Sequence, residues 1–132
     1  MLEKDFEVIY QELREIALKA ANNLVIKHDE HGLLYLVSPV NDARGQELYF
    51  GGTQIKKNYV SYHLMAVYMN PVLLDGISDQ LRKRMQGKSC FNFKKLDQEL
   101  FTELDQLTQK SLVWFKDKAP TFLYQHASGK GN

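Results

Sequence analysis

The chain has 132 residues, of which 44% are hydrophobic and 25% charged, and 17 basic against 16 acidic residues leave a formal charge of +1. This composition excludes a disordered chain, which would be poorer in apolar residues and more strongly charged. The near-neutral balance also predicts no general attraction to nucleic acid or to a membrane surface.

The number of cysteines and the first residues of the chain indicate the cellular compartment. Cys90 is the only cysteine, so an internal disulfide and a zinc site built from several cysteines are excluded. The first residues lack the basic and apolar regions of a signal peptide. No apolar stretch approaches the roughly 20 residues that span a bilayer. We therefore expect a cytoplasmic protein, with one domain over residues 1–125 and a flexible tail over residues 126–132.

The chain begins with a helical pattern and continues with a hairpin pattern. Apolar residues recur every three or four positions over residues 5–22, which predicts an amphipathic helix with Asp5 as its N-cap. Residues 24–28 and 33–37 then predict two strands, because a short turn ending in Gly32 separates two runs of strand-forming residues.

Two further strands are predicted over residues 47–56 and 59–68, with a tight turn between them. Gly51 and Gly52 interrupt the first of these strands. Adjacent glycines at such a place indicate a bulge, or a close approach of another backbone or of a ligand.

The last third of the chain predicts a short helix, a strand and a long helix. Ser78 caps the short helix, which runs to about residue 86 and is closed by Gly87. The strand covers residues 89–94, and Asp97 caps the long helix. Strands joined by short loops favour an antiparallel sheet. We therefore predict an α+β two-layer sandwich, with a sheet of about five strands and the N- and C-terminal helices packed on one of its faces.

The strand over residues 59–68 carries the most unusual side chains. Alternation places Val60 and Leu64 on one face, and Tyr59, Ser61 and His63 on the other. The apolar face suits packing under the helices, so the polar face is predicted to line an open sheet surface that binds a small molecule. The alternative is an ordinary half-buried face on which tyrosines pack across strands.

A basic cluster lies beyond this strand. Arg84 and Lys88 are four residues apart, which on a helix would let them converge on an anion. The alternative is a solvated helix face. The predicted ligand is therefore small and polar or anionic, and its site combines eight residues: Gly51, Gly52, Tyr59, Ser61, His63, Arg84, Lys88 and Asn92.

Catalytic and metal signatures are weak. The histidines at positions 28, 31, 63 and 126 do not have the spacing of a metal motif. Cys90 would act as a nucleophile only beside a base; a small buried thiol is the commoner role of a single cysteine. The sequence therefore predicts no catalytic residue, no metal ligand and no cofactor.

Two segments resemble a known family. Residues 48–64 read L-Y-F-G-G-T-Q-I-K-K-N-Y-V-S-Y-H-L, and residues 77–94 read I-S-D-Q-L-R-K-R-M-Q-G-K-S-C-F-N-F-K. Together they resemble the corresponding blocks of the YdhG-like proteins, a bacterial group known mainly as a domain of unknown function. The resemblance implies a compact α+β domain with an antiparallel sheet.

One branch of that family is described as a frataxin-like intracellular iron chaperone, which implies iron as a ligand. Such a role requires acidic oxygen ligands. The chain offers acidic residues on its first and last helices: Glu3, Asp5, Glu7, Glu12, Glu15, Asp97, Glu99, Glu103 and Asp105.

Three functions are therefore carried forward. The leading one is a non-enzymatic binding protein for a small polar or anionic ligand on the sheet face. The alternatives are the iron chaperone, and a protein-interaction module or homodimer that uses the aromatic sheet face.

Overall fold

The structure is a computed structural model that describes residues 2–122, and the predicted tail over residues 126–132 lies outside this range. Its helices are α1 (Leu2–Leu18), α2 (Met65–Met69), α3 (Asp79–Arg82) and α4 (Gln98–Phe122), with 3-10 turns at Ala21–Asn23 and Pro71–Leu74. Its strands are β1 (Val25–Glu30), β2 (Leu33–Val37), β3 (Tyr49–Ile55), β4 (Val60–Leu64), β5 (Met85–Gln86) and β6 (Cys90–Phe93).

The six strands form one sheet in the order β1-β2-β3-β4-β6-β5, and every neighbouring pair is antiparallel. The first four strands are neighbours in chain order, as the sequence pattern predicts. Short turns join β1 to β2 and β3 to β4, whereas a longer loop over residues 38–48 joins β2 to β3. Strand β6 then pairs directly with β4, and the two-residue strand β5 lies outside it. The sheet therefore has one strand more than the sequence predicts.

Both long helices cover the same face of the sheet. Helix α1 contacts β3, β4 and α4. Helix α4 packs on the sheet through edge contacts between Phe115 and Phe50 and between Phe101 and Phe93, each with ring centroids 5.1 Å apart. The core lies between these layers. The α+β two-layer sandwich with its terminal helices on one face is confirmed.

The ends of the helices partly match the predictions. Helix α1 begins at Leu2, so Asp5 lies inside the helix and is not its N-cap. Nothing in the preceding residues breaks the helical pattern, which explains the earlier start. Asp97 caps α4 as predicted, because its Oδ1 accepts the backbone N–H of Leu100 at 3.2 Å.

Strand β4 ends four residues before its predicted end. Met65–Met69 turns into the short helix α2, which buries Ala66 and Val67 against the core. The segment mixes the helix formers methionine and alanine with the strand formers Val67 and Tyr68, so local propensity did not decide between helix and strand. Packing at Ala66 and Val67 accounts for the observed helix.

Helix α3 is also shorter than predicted. Ser78 caps it, as expected, by accepting the N–H of Leu81 at 3.1 Å. The helix ends at Arg82, because Met85–Gln86 pairs with β6 instead of continuing the helix. Gly87 therefore lies in the turn between β5 and β6 and does not cap the helix.

Candidate functional site

The face of the sheet turned away from α1 and α4 is called here the open face, and it carries half-buried polar and aromatic side chains. In β4 the buried residues alternate with the half-buried Ser61 and His63. In β6 the same alternation leaves Cys90 and Asn92 half-buried. The predicted assignment of faces in this part of β4 is confirmed.

Two glycines bring the central strands close together. A Cβ atom on Gly51 would lie 2.1 Å from the carbonyl oxygen of His63, and one on Gly52 would lie 1.9 Å from that of Leu34. Both distances are far inside van der Waals contact, so only glycine fits. The predicted close approach is therefore made by the neighbouring strands. The predicted bulge lies beside it at Phe50, which has no partner in β2.

Gly52 also leaves space in a row of side chains. It lies in register between Tyr35 of β2 and His63 of β4. The ring of Tyr49 contacts both of these residues, with centroid distances of 4.4 Å to Tyr35 and 5.2 Å to His63. Since Gly52 has no side chain, the Tyr49 ring lies between its two neighbours, and three rings line the middle of the open face.

His63 is held at both ring nitrogens. Its Nδ1 lies 3.2 Å from Sγ of Cys90, and its Nε2 lies 2.9 Å from Oγ of Ser89. Burial lowers the pKa of His63 below its usual value, because a charged imidazolium is less well solvated there. Burial likewise raises the pKa of the Tyr49 hydroxyl. At neutral pH this part of the site therefore holds an uncharged imidazole and an uncharged phenol.

The open face contains a concave site of about 310 Å³, called here the ring hollow. Its polar and aromatic lining residues are Tyr35, Tyr49, Thr53, Gln54, Lys56, Tyr59, Ser61, His63, Gln86, Cys90 and Asn92. Of the eight residues predicted for the site, five line this hollow: Gly52, Tyr59, Ser61, His63 and Asn92. Gly51 lies in register with the buried Leu64 and does not line it.

A second concavity adjoins the first and is called here the basic hollow. It has a volume of about 560 Å³ and shares Tyr59, Gln86 and Asn92 with the ring hollow. Its remaining lining residues are Asn58, Lys83, Arg84, Met85 and Lys94. The Asn92 amide donates to Oε1 of Gln86 at 2.7 Å, which fixes two of the shared side chains.

The structure separates the two predicted basic residues. Arg84 precedes β5, and Lys88 lies in the turn after it, so neither is helical and the premise that they converge on one helix face is wrong. Arg84 lines the basic hollow, whereas Lys88 is exposed and lines neither hollow. The short β5–β6 pairing accounts for the difference.

Some site residues were missed, and Cys90 was assigned the wrong environment. Alternation along β2 places Tyr35 on the other face of the sheet from the buried Leu34 and Leu36, so Tyr35 could have been predicted as a site residue from the sequence. The position of Tyr49 on the open face depends on the bulge at Phe50, which alternation alone does not predict. Cys90 is half-buried and directly contacts His63, which corrects the expectation of a small buried thiol.

The acidic residues named for iron are partly engaged in other contacts. Glu7 pairs with His31 in the β1–β2 turn, and Glu103 accepts both the backbone N–H and the hydroxyl of Ser78 at 2.6 Å. Lys19 pairs with Asp105. Within residues 2–122, no group of three or more His, Cys, Asp or Glu side chains is placed to hold a metal ion.

Comparison with known proteins adds no relatives. No protein-family model matches the chain, and searches of curated proteins and of solved structures gave no match. The resemblance to YdhG-like proteins therefore stays a prediction. None of the helices in the described part of the chain is both long and apolar enough to cross a membrane.

Proposed function

We propose that this protein binds a small anionic organic molecule across the two hollows of the open face. The observation that carries the proposal is the charge of their lining. Lys56, Lys83, Arg84 and Lys94 line the two hollows, and no described residue with a carboxylate does. In a chain with almost as many acidic as basic residues, such a one-sided lining favours an anion.

The ring hollow suits the uncharged part of such a ligand. The rings of Tyr35, Tyr49 and His63 offer flat apolar surface, while Gln54 and Ser61 add hydrogen-bonding groups. Its volume of about 310 Å³ lies at the lower end of the range for small-molecule sites. This part of the site therefore suits a single planar ring or a short polar chain.

The basic hollow suits the charged part of the ligand. Lys83, Arg84 and Lys94 are exposed, and none forms an ion pair with a carboxylate in residues 2–122. A guanidinium can bind a carboxylate or phosphate through two parallel hydrogen bonds, and lysines add positive charge around it. A ligand with its ring at Tyr49 and its anionic group at Arg84 would use both hollows.

Thermal unfolding with matched compounds tests the proposal. Adenosine and benzamide serve as neutral ring compounds, and adenosine monophosphate and benzoate are their anionic partners. Inorganic phosphate serves as an anion without a ring. A compound at about 100 times its dissociation constant stabilises the folded state by about 2.7 kcal/mol, which raises the midpoint by several degrees. We expect the anionic ring compounds to raise it more than their neutral partners do.

Charge variants test where the anionic group binds. Arg84→Gln removes a cation from the basic hollow, and Lys110→Gln removes an exposed cation from α4 as a matched control. We expect the first variant to weaken the response to anionic ring compounds and the second to preserve it. Equal responses of both variants, or neutral compounds that stabilise as well as anionic ones, would contradict the proposal.

A further inference from the structure

Cys90 lies where a ligand in the ring hollow and a base can both reach it. In the β4–β6 pairing it is directly opposite His63, and its Sγ is 3.2 Å from Nδ1 of that ring. The thiol is half-buried and lines the ring hollow. A nucleophile, a base and a space for a reacting molecule therefore occur together on the open face.

Burial lowers the pKa of His63 and so keeps the imidazole in the neutral form that can act as a base, and hydrogen bonding decides which of its nitrogens faces the thiol. A neutral imidazole has one N–H donor and one acceptor nitrogen. When Nε2 donates its proton to Oγ of Ser89, at 2.9 Å, Nδ1 is left to accept the thiol proton of Cys90. The edge contact with the Tyr49 ring further fixes the imidazole plane. This is the arrangement of an activated nucleophile: thiol, base and a group that orients the base.

We propose that Cys90 is a nucleophile deprotonated by His63, and that it adds to an activated alkene of an anionic α,β-unsaturated carbonyl compound bound in the two hollows. The thiol proton moves to Nδ1 of His63, and a sulfur electron pair forms the bond from Sγ to the β-carbon. The alkene π pair moves onto the carbonyl oxygen as an enolate, and the α-carbon then takes the proton from His63. The step needs no leaving group, oxidant or second reactant.

The rate of maleimide addition tests this activation. N-Ethylmaleimide is an activated alkene, and intact mass reports its reaction at Cys90 because the chain has 1 cysteine. An ordinary thiol, with a pKa of about 8.5, is only about 3% ionised at pH 7, so an effective base can accelerate addition by at most about 30-fold. We expect the protein to react at least about tenfold faster than its His63→Gln variant at pH 7. His31→Gln removes an imidazole from the distant β1–β2 turn and should leave the rate unchanged.

The pH profile separates a base from a residue that only supports the fold. Without His63, the rate should fall about tenfold for each unit by which the pH is lowered, because only the ionised thiol then reacts. With His63, the rate should stay nearly level down to the pH at which the imidazole itself becomes protonated. The other titratable groups that line the hollow are Tyr35, Tyr49, Tyr59, Lys56 and Cys90 itself.

Two outcomes would overturn the inference. One is an equal rate and an equal pH profile for the protein and His63→Gln. The other, which does not depend on any variant folding, is a rate for the native protein at pH 7 no higher than that of the same chain in urea.

The anionic character of the ligand in this inference rests on the proposed function. A second reagent therefore tests the activation of Cys90 and the preference for an anion separately. A maleimide that carries a carboxylate has the same reactive alkene as N-ethylmaleimide. We expect the native protein to favour the charged reagent, and Arg84→Gln to lose that preference while keeping the His63 effect. No preference for charge, with the His63 effect intact, would contradict the anionic ligand alone.

Discussion

A buried hydrogen bond joins β4, the strand that carries His63, to α4. We expect removal of its donor and removal of its acceptor to reduce the stability of the protein by different amounts. The Tyr62 hydroxyl lies 2.8 Å from Oγ1 of Thr108, and both side chains are almost fully buried. The Thr108 hydroxyl also donates to the carbonyl oxygen of Leu104 at 2.8 Å. Since the threonine proton is used there, Tyr62 donates the shared bond.

Because Tyr62 is the donor and Thr108 the acceptor, substitutions at the two residues should change the unfolding free energy by different amounts. Tyr62→Phe removes one hydrogen bond and leaves no donor unpaired, which costs about 1 kcal/mol of unfolding free energy. Thr108→Val leaves the buried Tyr62 hydroxyl without an acceptor, and an orphaned group of this kind costs about 2–3 kcal/mol. Combined with Tyr62→Phe, Thr108→Val should cost little more than Tyr62→Phe alone, because no polar group is then orphaned. The double variant should therefore lose about 2–3 kcal/mol less than the two single losses taken together, and this difference is the coupling between the two sites.

Urea unfolding curves for the native protein, the two single variants and the double variant measure these differences as shifts in midpoint at constant slope. Tyr68→Phe and Thr102→Val are matched controls at exposed positions and should stay within about 0.5 kcal/mol of the native protein. Additive effects of Tyr62→Phe and Thr108→Val, or a Tyr62→Phe variant less stable than Thr108→Val, would refute this account of the bond.

Two further predictions concern the sheet and His63. Gly52→Ala should destabilise the protein by more than about 3 kcal/mol in the same assay, because its Cβ would lie 1.9 Å from the Leu34 carbonyl oxygen and would force β2 and β3 apart; a loss under about 1 kcal/mol would show that the strands separate easily. His63 has a lowered pKa in the folded state, so below about pH 6.5 the unfolded chain binds a proton that the folded chain resists, and stability falls with falling pH. His63→Gln should lose that part of the pH dependence between pH 7.5 and pH 5, and identical curves for the two proteins would contradict the role of burial at His63.

The sequence predicted the part of the site that depends on alternation within one strand. Ser61 and His63 were placed correctly because a period of two residues separates the faces of β4 whatever its partners are. Tyr49 could not be placed in this way. Its position depends on the bulge at Phe50, and the two glycines indicated that irregularity without fixing its residue.

The features that the sequence did not predict were those that depend on partners far away along the chain. Strand β5 has two residues, and its pairing with β6 competes with a locally favourable helix over the same segment. The contact between Cys90 and His63 required the sheet order itself. It exists because β6 lies directly beside β4, whereas the sequence left open which strand would occupy that place.

The register of β4 determines both the core and the site. Val60, Tyr62 and Leu64 point into the core, and the intervening Ser61 and His63 point to the open face, so a slip of one residue would exchange the two sets. Burial of three large side chains opposes that slip, and the Tyr62 hydrogen bond opposes it further. The close backbone approach at Gly51 fixes β3 against the same strand. The alignment of His63 with Cys90 is therefore maintained mainly by residues on the opposite face, and changes there that loosen β4 should reduce the reactivity of Cys90 without touching either hollow.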